Sequence, residues 1–201
     1  MRILLALFFF ISTASLFGVE PVAVYLTIQE KPDTQMTVCW VHSGLVEKQV
    51  LKYREQASEK WFEVEASPLK FPEKLPYTLF ITELHVLKPE SQYEFILSGT
   101  ENRYSFKTLP STLDRPVKFV AGGDIYHDDI KNVQTMNKVA AAQNPDFALL
   151  GGDIAYSGSK FTFFREEGDR WIQFLKAWSS TMKRTDGTLI PLITCIGNHD
   201  I

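Results

Sequence analysis

The stretch that decides the fold reads FALLGGDIAY and covers residues 147–156. Four apolar residues, two glycines and Asp153 form the pattern of a short buried strand that ends in a tight loop carrying a carboxylate. The same order recurs upstream at Val117 to Asp124 and downstream at Leu189 to Asp200. The repetition predicts three strands that each present oxygen-bearing side chains at their ends.

Two helical patterns separate these strands. Residues 128–143 carry apolar side chains at helical spacing before Asn144-Pro145, and a second amphipathic stretch runs from about 161 to 183. Strand, helix, strand, helix, strand predicts right-handed crossovers and a parallel sheet. The carboxyl ends of parallel strands share one edge, so we expect the three polar strings to meet there.

Residues 19–110 have a different pattern and predict an all-β sandwich of immunoglobulin or fibronectin type. We expect Trp40 to anchor its core and Tyr93, just after a turn with Pro89, to form a tyrosine corner. Residues 111–116 are the expected linker, and 117–201 the start of an α/β domain. Seven short β-rich runs carry the sandwich prediction: 22–28, 36–41, 50–54, 61–65, 77–82, 93–98 and 103–107.

Residues 1–18 are expected to be a secretory signal peptide. Met1-Arg2 precedes the apolar run Ile3 to Ile11, and small residues follow. The alternative is a membrane anchor, but the run is shorter than the roughly 20 residues that span a bilayer. We therefore expect a secreted or periplasmic protein with no stable membrane span after signal cleavage.

Charge and cysteine content narrow the function classes. The 21 basic and 24 acidic residues are mixed and give a net charge of −3, so no basic block favours nucleic acid as a partner. Cys39 and Cys195 each lie within an apolar strand pattern, far apart in the sequence. We expect two buried free thiols rather than a disulfide. The sequence leaves the oligomeric state open.

Asp124 and Asp153 are the first candidates for metal ligands. Either one alone is more often a simple turn residue, but two carboxylates at neighbouring strand ends repel each other unless a cation lies between them. Tyr156 could return its phenol to the same ion, and a phenolate suits a highly charged ferric ion. By itself, that tyrosine would be interpreted as packing.

The last string adds three further candidates. Asn198 offers a neutral amide oxygen, which suits a divalent ion. His199 follows it, and Asp200 could fix the tautomer of the His199 ring. Without the two earlier strings, this segment would be interpreted as a turn with a surface histidine.

At these residues the chain resembles the calcineurin-like metallophosphoesterases and, among them, the purple acid phosphatases. The match is to Gly-Asp, then Gly-Asp-x-x-Tyr, then Gly-Asn-His-Asp/Glu, and the tyrosine distinguishes the purple acid group. The first half resembles the fibronectin type III-like domain that precedes the catalytic domain in many such phosphatases. Val22 to Trp40 and Tyr104 to Pro110 carry that likeness.

The resemblance implies an enzyme of the acid phosphatase type that hydrolyses phosphate monoesters, with a small phosphorylated compound as substrate. The implied cofactor is a dinuclear metal centre, Fe(III) plus divalent Fe, Zn or Mn. Asp124 and Tyr156 would bind the ferric ion, Asp153 would bridge both ions, and Asn198 would bind the divalent ion.

The implied catalytic residues are His199 and Asp200. His199 would contact the phosphate and stabilise or protonate the leaving alkoxide, with Asp200 beside it. Two other functions stay open. One is a calcineurin-like phosphodiesterase or nucleotidase in which Tyr156 is not a ligand, and the other is a non-catalytic, truncated binding module.

Two departures from the family pattern carry expectations of their own. Tyr126 stands where the purple acid pattern usually has glycine, so it could crowd the metal or replace a supporting contact, and His127 could ligate or face solvent. The family also takes three metal-binding histidines from later strings that these 201 residues do not contain. We therefore expect an incomplete metal centre and little phosphatase activity from this chain alone.

Overall fold

The computed structural model describes residues 20–71, 75–126, 128–158 and 168–200. The expected signal peptide, His127 and residues 161–167 of the expected second helix lie outside the described residues. Within the described ranges, no helix is long and apolar enough to cross a membrane.

Residues 20–109 form two facing antiparallel layers, as the sequence predicts. One layer has the order β5-β6-β2-β1 and the other the order β4-β3-β7-β8. All seven expected strands are present, and β5 is an additional short edge strand that starts at a proline, a residue tolerated at sheet edges. The strands are β1 (Ala23–Thr27), β2 (Met36–Ser43), β3 (Gln49–Glu55), β4 (Phe62–Ala66), β5 (Pro68–Lys70), β6 (Tyr77–Leu84), β7 (Gln92–Leu97) and β8 (Arg103–Lys107).

The core of the sandwich confirms both specific expectations made for it. Trp40 is fully buried and stacks on Phe80 with ring centroids 5.3 Å apart. The main-chain N–H of Lys88 donates to the hydroxyl of Tyr93 at 2.8 Å, which is a tyrosine corner. The corner ties the turn before β7 to the core, so the sandwich is held by side-chain contacts without a disulfide.

The cysteines differ from the expectation in one respect. Both are free thiols, and Cys39 is buried, but Cys195 is exposed. The reason is that the last strand of the parallel sheet ends at Thr194, so Cys195 lies beyond it between the exposed residues Thr194 and Ile196. The prediction of two buried thiols was wrong for Cys195.

Residues 117–200 form the parallel α/β unit that the alternation of patterns predicts. Its elements are β9 (Phe119–Gly122), α1 (Ile130–Ala141), β10 (Phe147–Leu150), α2 (Gly168–Thr181) and β11 (Leu192–Thr194). β10 pairs in parallel with β9 on one side and β11 on the other. The strands lie in the order β9-β10-β11, and right-handed crossovers between them place both helices on one face of the sheet. On that face Ala148 and Leu150 are buried, whereas Leu149 points to the other face and is 41% exposed.

The two halves share one sheet, which the sequence did not reveal. β1 of the sandwich pairs in parallel with β11 through Thr27 and Leu192, giving seven strands in the order β5-β6-β2-β1-β11-β10-β9. Helix α2 covers this junction, and the Val24 N–H donates to the Ser179 hydroxyl at 2.9 Å. The sandwich therefore supports the parallel strands whose carboxyl ends carry the candidate site.

An arginine in the linker joins the two halves a second time. Arg115 donates through Nε to Glu90 Oε1 at 2.6 Å and through Nη1 to Asp146 Oδ2 at 3.0 Å. Asp146 also accepts from the Lys118 N–H at 2.9 Å and lies 3.5 Å from Arg184 Nη1. Because the Asp146 side chain is only 7% exposed, this carboxylate is a largely buried meeting point of linker and sheet.

Acid is expected to weaken this junction. Burial would raise the pKa of Asp146, but hydrogen bonds from Arg115 and Lys118 and the charges of Arg115 and Arg184 outweigh burial and lower it. A carboxyl whose pKa is lower in the folded protein contributes stability above its unfolded pKa of about 4, and this stability is lost as the pH falls through the folded value. We expect Asp146→Asn to cost about 1–3 kcal/mol in free energy of unfolding near neutral pH.

The check is urea unfolding of both proteins across pH. The difference in free energy of unfolding between the unchanged protein and Asp146→Asn should be constant from about pH 5 to pH 8 and shrink below about pH 4. An equal difference at about pH 3 and at neutral pH would contradict the assignment of this stability to the ionised carboxyl.

Candidate metal centre

The loops that follow β9 and β10 run side by side beyond the ends of the strands. The Gly151 N–H donates to the Gly122 carbonyl at 2.7 Å, and the Asp124 N–H donates to the Gly152 carbonyl at 3.2 Å. The next two main-chain bonds join Ile125 to Asp153 at 2.9 Å and Tyr126 to Ile154 at 3.0 Å. This ladder brings the two Gly-Asp strings together, as the parallel sheet predicts.

Three of the predicted ligands have left-handed backbone conformations. The φ angles of Asp124, Asp153 and Tyr156 are 49°, 50° and 54°. Aspartate is tolerated there, but for a tyrosine this region costs about 1–3 kcal/mol unless surrounding contacts hold it. The site loops are therefore conformations that tertiary structure has to enforce.

Asp124 and Tyr156 meet directly. The Tyr156 hydroxyl donates to Asp124 Oδ1 at 2.5 Å. This hydrogen bond raises the pKa of Tyr156 to about 12, with burial and the charges of Asp124, Asp153 and Asp200 acting in the same direction. A phenol among three carboxylates keeps its proton without a cation, and the same negative field attracts a cation that could replace that proton.

Asp153 and His199 are joined through the main chain. The His199 N–H donates to Asp153 Oδ1 at 2.8 Å, while the Gly158 N–H donates to the His199 carbonyl at 3.0 Å. The His199 ring stacks on the Tyr156 ring, with centroids 4.9 Å apart and planes within 11°. The third polar string is thus anchored to the second through both backbone and rings.

Asn198 lies on the exposed turn between these anchors. Its neighbour Gly197 has no room for a side chain, because a Cβ there would lie 2.2 Å from both the main-chain nitrogen and Oδ1 of Asp153. Gly152 approaches from the other side, where a Cβ would lie 2.9 Å from Gly197 Cα. The two glycines allow the second and third strings to touch backbone to backbone.

The Asp200 side chain binds main-chain N–H groups, a role that the sequence did not suggest. Its carboxylate accepts hydrogen bonds from the N–H groups of Ile154 and Ala155 at 2.9 Å, Tyr156 at 3.2 Å and Gly197 at 3.1 Å. The residue is 8% exposed. These contacts bind the last string to the loop that carries Tyr156; orientation of the His199 ring by Asp200 stays a prediction.

Tyr126 turns away from the candidate metal centre. It is 5% exposed, and its hydroxyl donates to Gln173 Oε1 of α2 at 2.5 Å. The Arg170 guanidinium lies 3.9 Å from the centroid of the Tyr126 ring. Tyr126 therefore takes the supporting role that was one of its two expected alternatives and does not crowd the carboxylates. Arg170 was missed by sequence reasoning, because a single arginine on a helix carries no pattern that marks it.

Four of the predicted site residues form a continuous set: Asp124, Tyr156, Asp153 and His199. Asn198 lies on the adjoining turn, and Asp200 supports the loop beneath. In the described part of the chain, no group of three Asp, Glu, His or Cys side chains is clustered closely enough to hold an ion. The oxygen donors that do meet are the Asp124 carboxylate and the Tyr156 hydroxyl. Oxygen donors of this kind fit a hard cation such as ferric ion.

Two further histidines, His42 and His85, lie away from the candidate metal centre. His42 is 2% exposed within β2, with its ring edge-on to Phe80 at 5.9 Å. His85 is half-exposed, with Nε2 3.4 Å from Glu83. His42 belongs to β2 and His85 follows β6 directly, so both are part of the sandwich.

Comparisons with known proteins agree with this architecture. Residues 79–201 match the family model described as calcineurin-like phosphoesterase, and residues 21–108 match the model described as purple acid phosphatase, N-terminal domain. Purple acid phosphatase 21 of Arabidopsis thaliana is 29% identical over 115 residues, which are 57% of this chain and 23% of that protein. The chain thus spans about a quarter of the length of this relative.

A solved structure, that of PhoD, superposes with a TM-score of 0.56 at 14% sequence identity. The superposition covers 90% of this chain and 40% of that chain. Likeness at this identity concerns the fold alone, and it extends over both the sandwich and the α/β unit.

Proposed function

Because this chain belongs to the calcineurin-like phosphoesterase family, we propose that it serves the hydrolysis of phosphate monoesters through a dinuclear metal centre of the purple acid phosphatase type. Phosphoester hydrolysis follows from the family, whereas the monoester substrate, the paired metals and an exported location are parts of the proposal. The apolar start of the chain supports secretion or a periplasmic location. A small phosphorylated compound is the proposed substrate.

The contact between Tyr156 and Asp124 carries the proposal. Tyr156 places its hydroxyl 2.5 Å from a carboxylate of the neighbouring strand end. The charges of Asp153 and Asp200 act on the same phenol. This is the arrangement expected of two ligands to one hard, highly charged ion.

Each residue has a distinct proposed role. Asp124 and Tyr156 would hold the ferric ion, Asp153 would serve both ions, and Asn198 would offer its amide oxygen to the divalent ion. When bound, the ions neutralise phosphate charge and activate water as the nucleophile. His199, held by Asp153 through its N–H and by Tyr156 through ring stacking, contacts the phosphate and donates a proton to the leaving oxygen.

Substitution of Tyr156 tests the proposal. Asp124 and Tyr156 both lie within these 201 residues, so we expect ferric ion to bind between them even where the set of ligands is incomplete for catalysis. Ferric ion added to the protein is expected to produce a visible absorption band from charge transfer between phenolate and ferric ion, and Tyr156→Phe is expected to abolish it. The reason is that phenylalanine keeps the ring and its stacking on His199 but lacks the phenol oxygen that contacts Asp124. Absorption spectroscopy during ferric titration makes the measurement.

Tyr104→Phe is the matched control, because Tyr104 stacks on Phe95 in the sandwich, away from the site. The control should keep the full band. A band of equal intensity in Tyr156→Phe would contradict the proposed ligand. Ferric binding with no band in any variant would favour the phosphodiesterase or nucleotidase alternative, in which Tyr156 is not a ligand.

A further inference from the structure

One arginine holds main-chain groups of both site loops. Arg170, in the first turn of α2, donates through Nε to the carbonyl of Ala155 at 2.6 Å and through Nη2 to the carbonyl of Tyr126. Ala155 belongs to the loop that carries Tyr156, and Tyr126 to the loop that follows Asp124. A single guanidinium therefore links the loop that carries Tyr156 to the loop that follows Asp124.

The arginine is itself held in place. The Tyr126 ring lies against its guanidinium at 3.9 Å, and the Tyr126 hydroxyl donates to Gln173 on the same helix at 2.5 Å. Helix, ring and guanidinium form a closed set of contacts, so the fork of N–H donors has a fixed direction. A lysine could keep the charge but could not reproduce two divergent donors on a planar group.

Ala155 lies between two opposite charges. Its N–H donates to Asp200 at 2.9 Å, and its carbonyl accepts from Arg170 at 2.6 Å. The residue is fully buried, so both bonds act with little competition from water. The next residue is Tyr156, whose φ of 54° needs support from its surroundings.

We propose that Arg170 is a positioning residue of the metal centre, which sets the separation of the two loops so that the Tyr156 hydroxyl lies on the Asp124 carboxylate. The role toward a metal rests on the proposed function, whereas the contacts of Arg170 themselves need no ion. The role is distinct from ligation, because the contacts of the guanidinium with residues 20–71, 75–126, 128–158 and 168–200 are to main-chain carbonyls and the Tyr126 ring.

Hydrogen exchange of the metal-free full chain tests the positioning step. We compare the unchanged protein with Arg170→Met, Arg170→Lys and the control Lys176→Met. Lys176 is an exposed residue of the same helix, so its variant removes the same charge without touching the loops. Amides 124–126 and 154–156 are expected to exchange at least about tenfold faster in Arg170→Met, and Arg170→Lys should fall between it and the control.

The location of the change separates positioning from general stability. Faster exchange confined to the two loops, with β2 and β6 amides unchanged, supports the proposal. Unchanged loop amides would overturn it, as would equal acceleration in the sandwich strands. If Arg170→Met fails to fold, Arg170→Lys alone decides, since it should loosen the loops while keeping the charge.

Ferric titration of the same proteins makes the link to the metal. The midpoint for the phenolate band is expected to move to at least about tenfold higher ferric concentration in Arg170→Met and to stay unchanged in Lys176→Met. Equal midpoints in Arg170→Met and Lys176→Met would overturn the role of Arg170 in metal binding. If the loops exchange faster in Arg170→Met but the unchanged protein shows no ferric band, the positioning role of Arg170 is supported and the proposed function is overturned. Failure of the positioning role and failure of the proposed function are therefore distinguishable.

Discussion

Asp200→Ala is expected to lower the free energy of unfolding by about 3–5 kcal/mol. The substitution removes the acceptor for four main-chain N–H groups, those of Ile154, Ala155, Tyr156 and Gly197. Ile154 and Ala155 are at most 1% exposed, so water cannot readily replace the carboxylate. Urea unfolding followed by tryptophan fluorescence measures the loss.

Two further variants locate the cause of that loss. Asp200→Asn keeps one acceptor oxygen but turns an amide N–H₂ toward the same donors, so we expect it to recover only part of the stability. Glu101→Ala removes an exposed carboxylate from the turn between β7 and β8 and should change the free energy of unfolding by less than about 0.5 kcal/mol. If Asp200→Ala behaved like Glu101→Ala, the main-chain role of Asp200 would be wrong.

The loss should also reach the candidate metal centre. Asp200 accepts from the N–H groups of Ala155 and Tyr156, and these bonds support the left-handed backbone of Tyr156. Release of this loop would move the Tyr156 hydroxyl away from Asp124. We therefore expect the ferric band to weaken in Asp200→Ala even where the protein is still folded.

Gly197→Ala is the second substitution for which a large effect is expected. The new methyl group would lie 2.2 Å from Asp153 N and Oδ1 and 2.7 Å from its Cγ. The nitrogen can move only with the backbone, and Oδ1 and Cγ only with the carboxylate of a predicted ligand, so the third string must separate from the second. We expect a loss of about 3–5 kcal/mol in free energy of unfolding, at the upper end for overpacking, together with loss of the ferric band.

Gly187→Ala is the matched control for this experiment. Gly187 has a φ of 84° and open space around its Cα, so alanine there carries a cost of backbone conformation, about 1–2 kcal/mol, without a clash. The control should keep the ferric band. Equal losses for both glycines, with the band retained in Gly197→Ala, would show that the close approach to Asp153 is not required.

The local elements were readable from sequence because their signals are local. Alternating and helical spacing, with glycine and proline as boundaries, predicted the seven sandwich strands, both helices and the three parallel strands. The predicted bounds of the sandwich strands differ from the observed ones by at most two residues at either end. The apolar run from Leu189 starts three residues before β11, because Leu189 packs in the sandwich core instead. Asp124 and Asp153 could be placed side by side because parallel strands present their carboxyl ends at one edge.

The sequence by itself determined the order of elements, the sandwich with its tyrosine corner, and the polar residues at three strand ends, since each depends on short-range spacing. Only the tertiary structure decided that β1 joins β11 in one sheet, that Cys195 is exposed, and that Tyr126 packs on α2. It also decided the main-chain roles of Asp200 and Arg170 and the left-handed backbone at Tyr156. These features depend on contacts between residues 15 to 165 positions apart, and such contacts leave no periodic trace in the residues that make them.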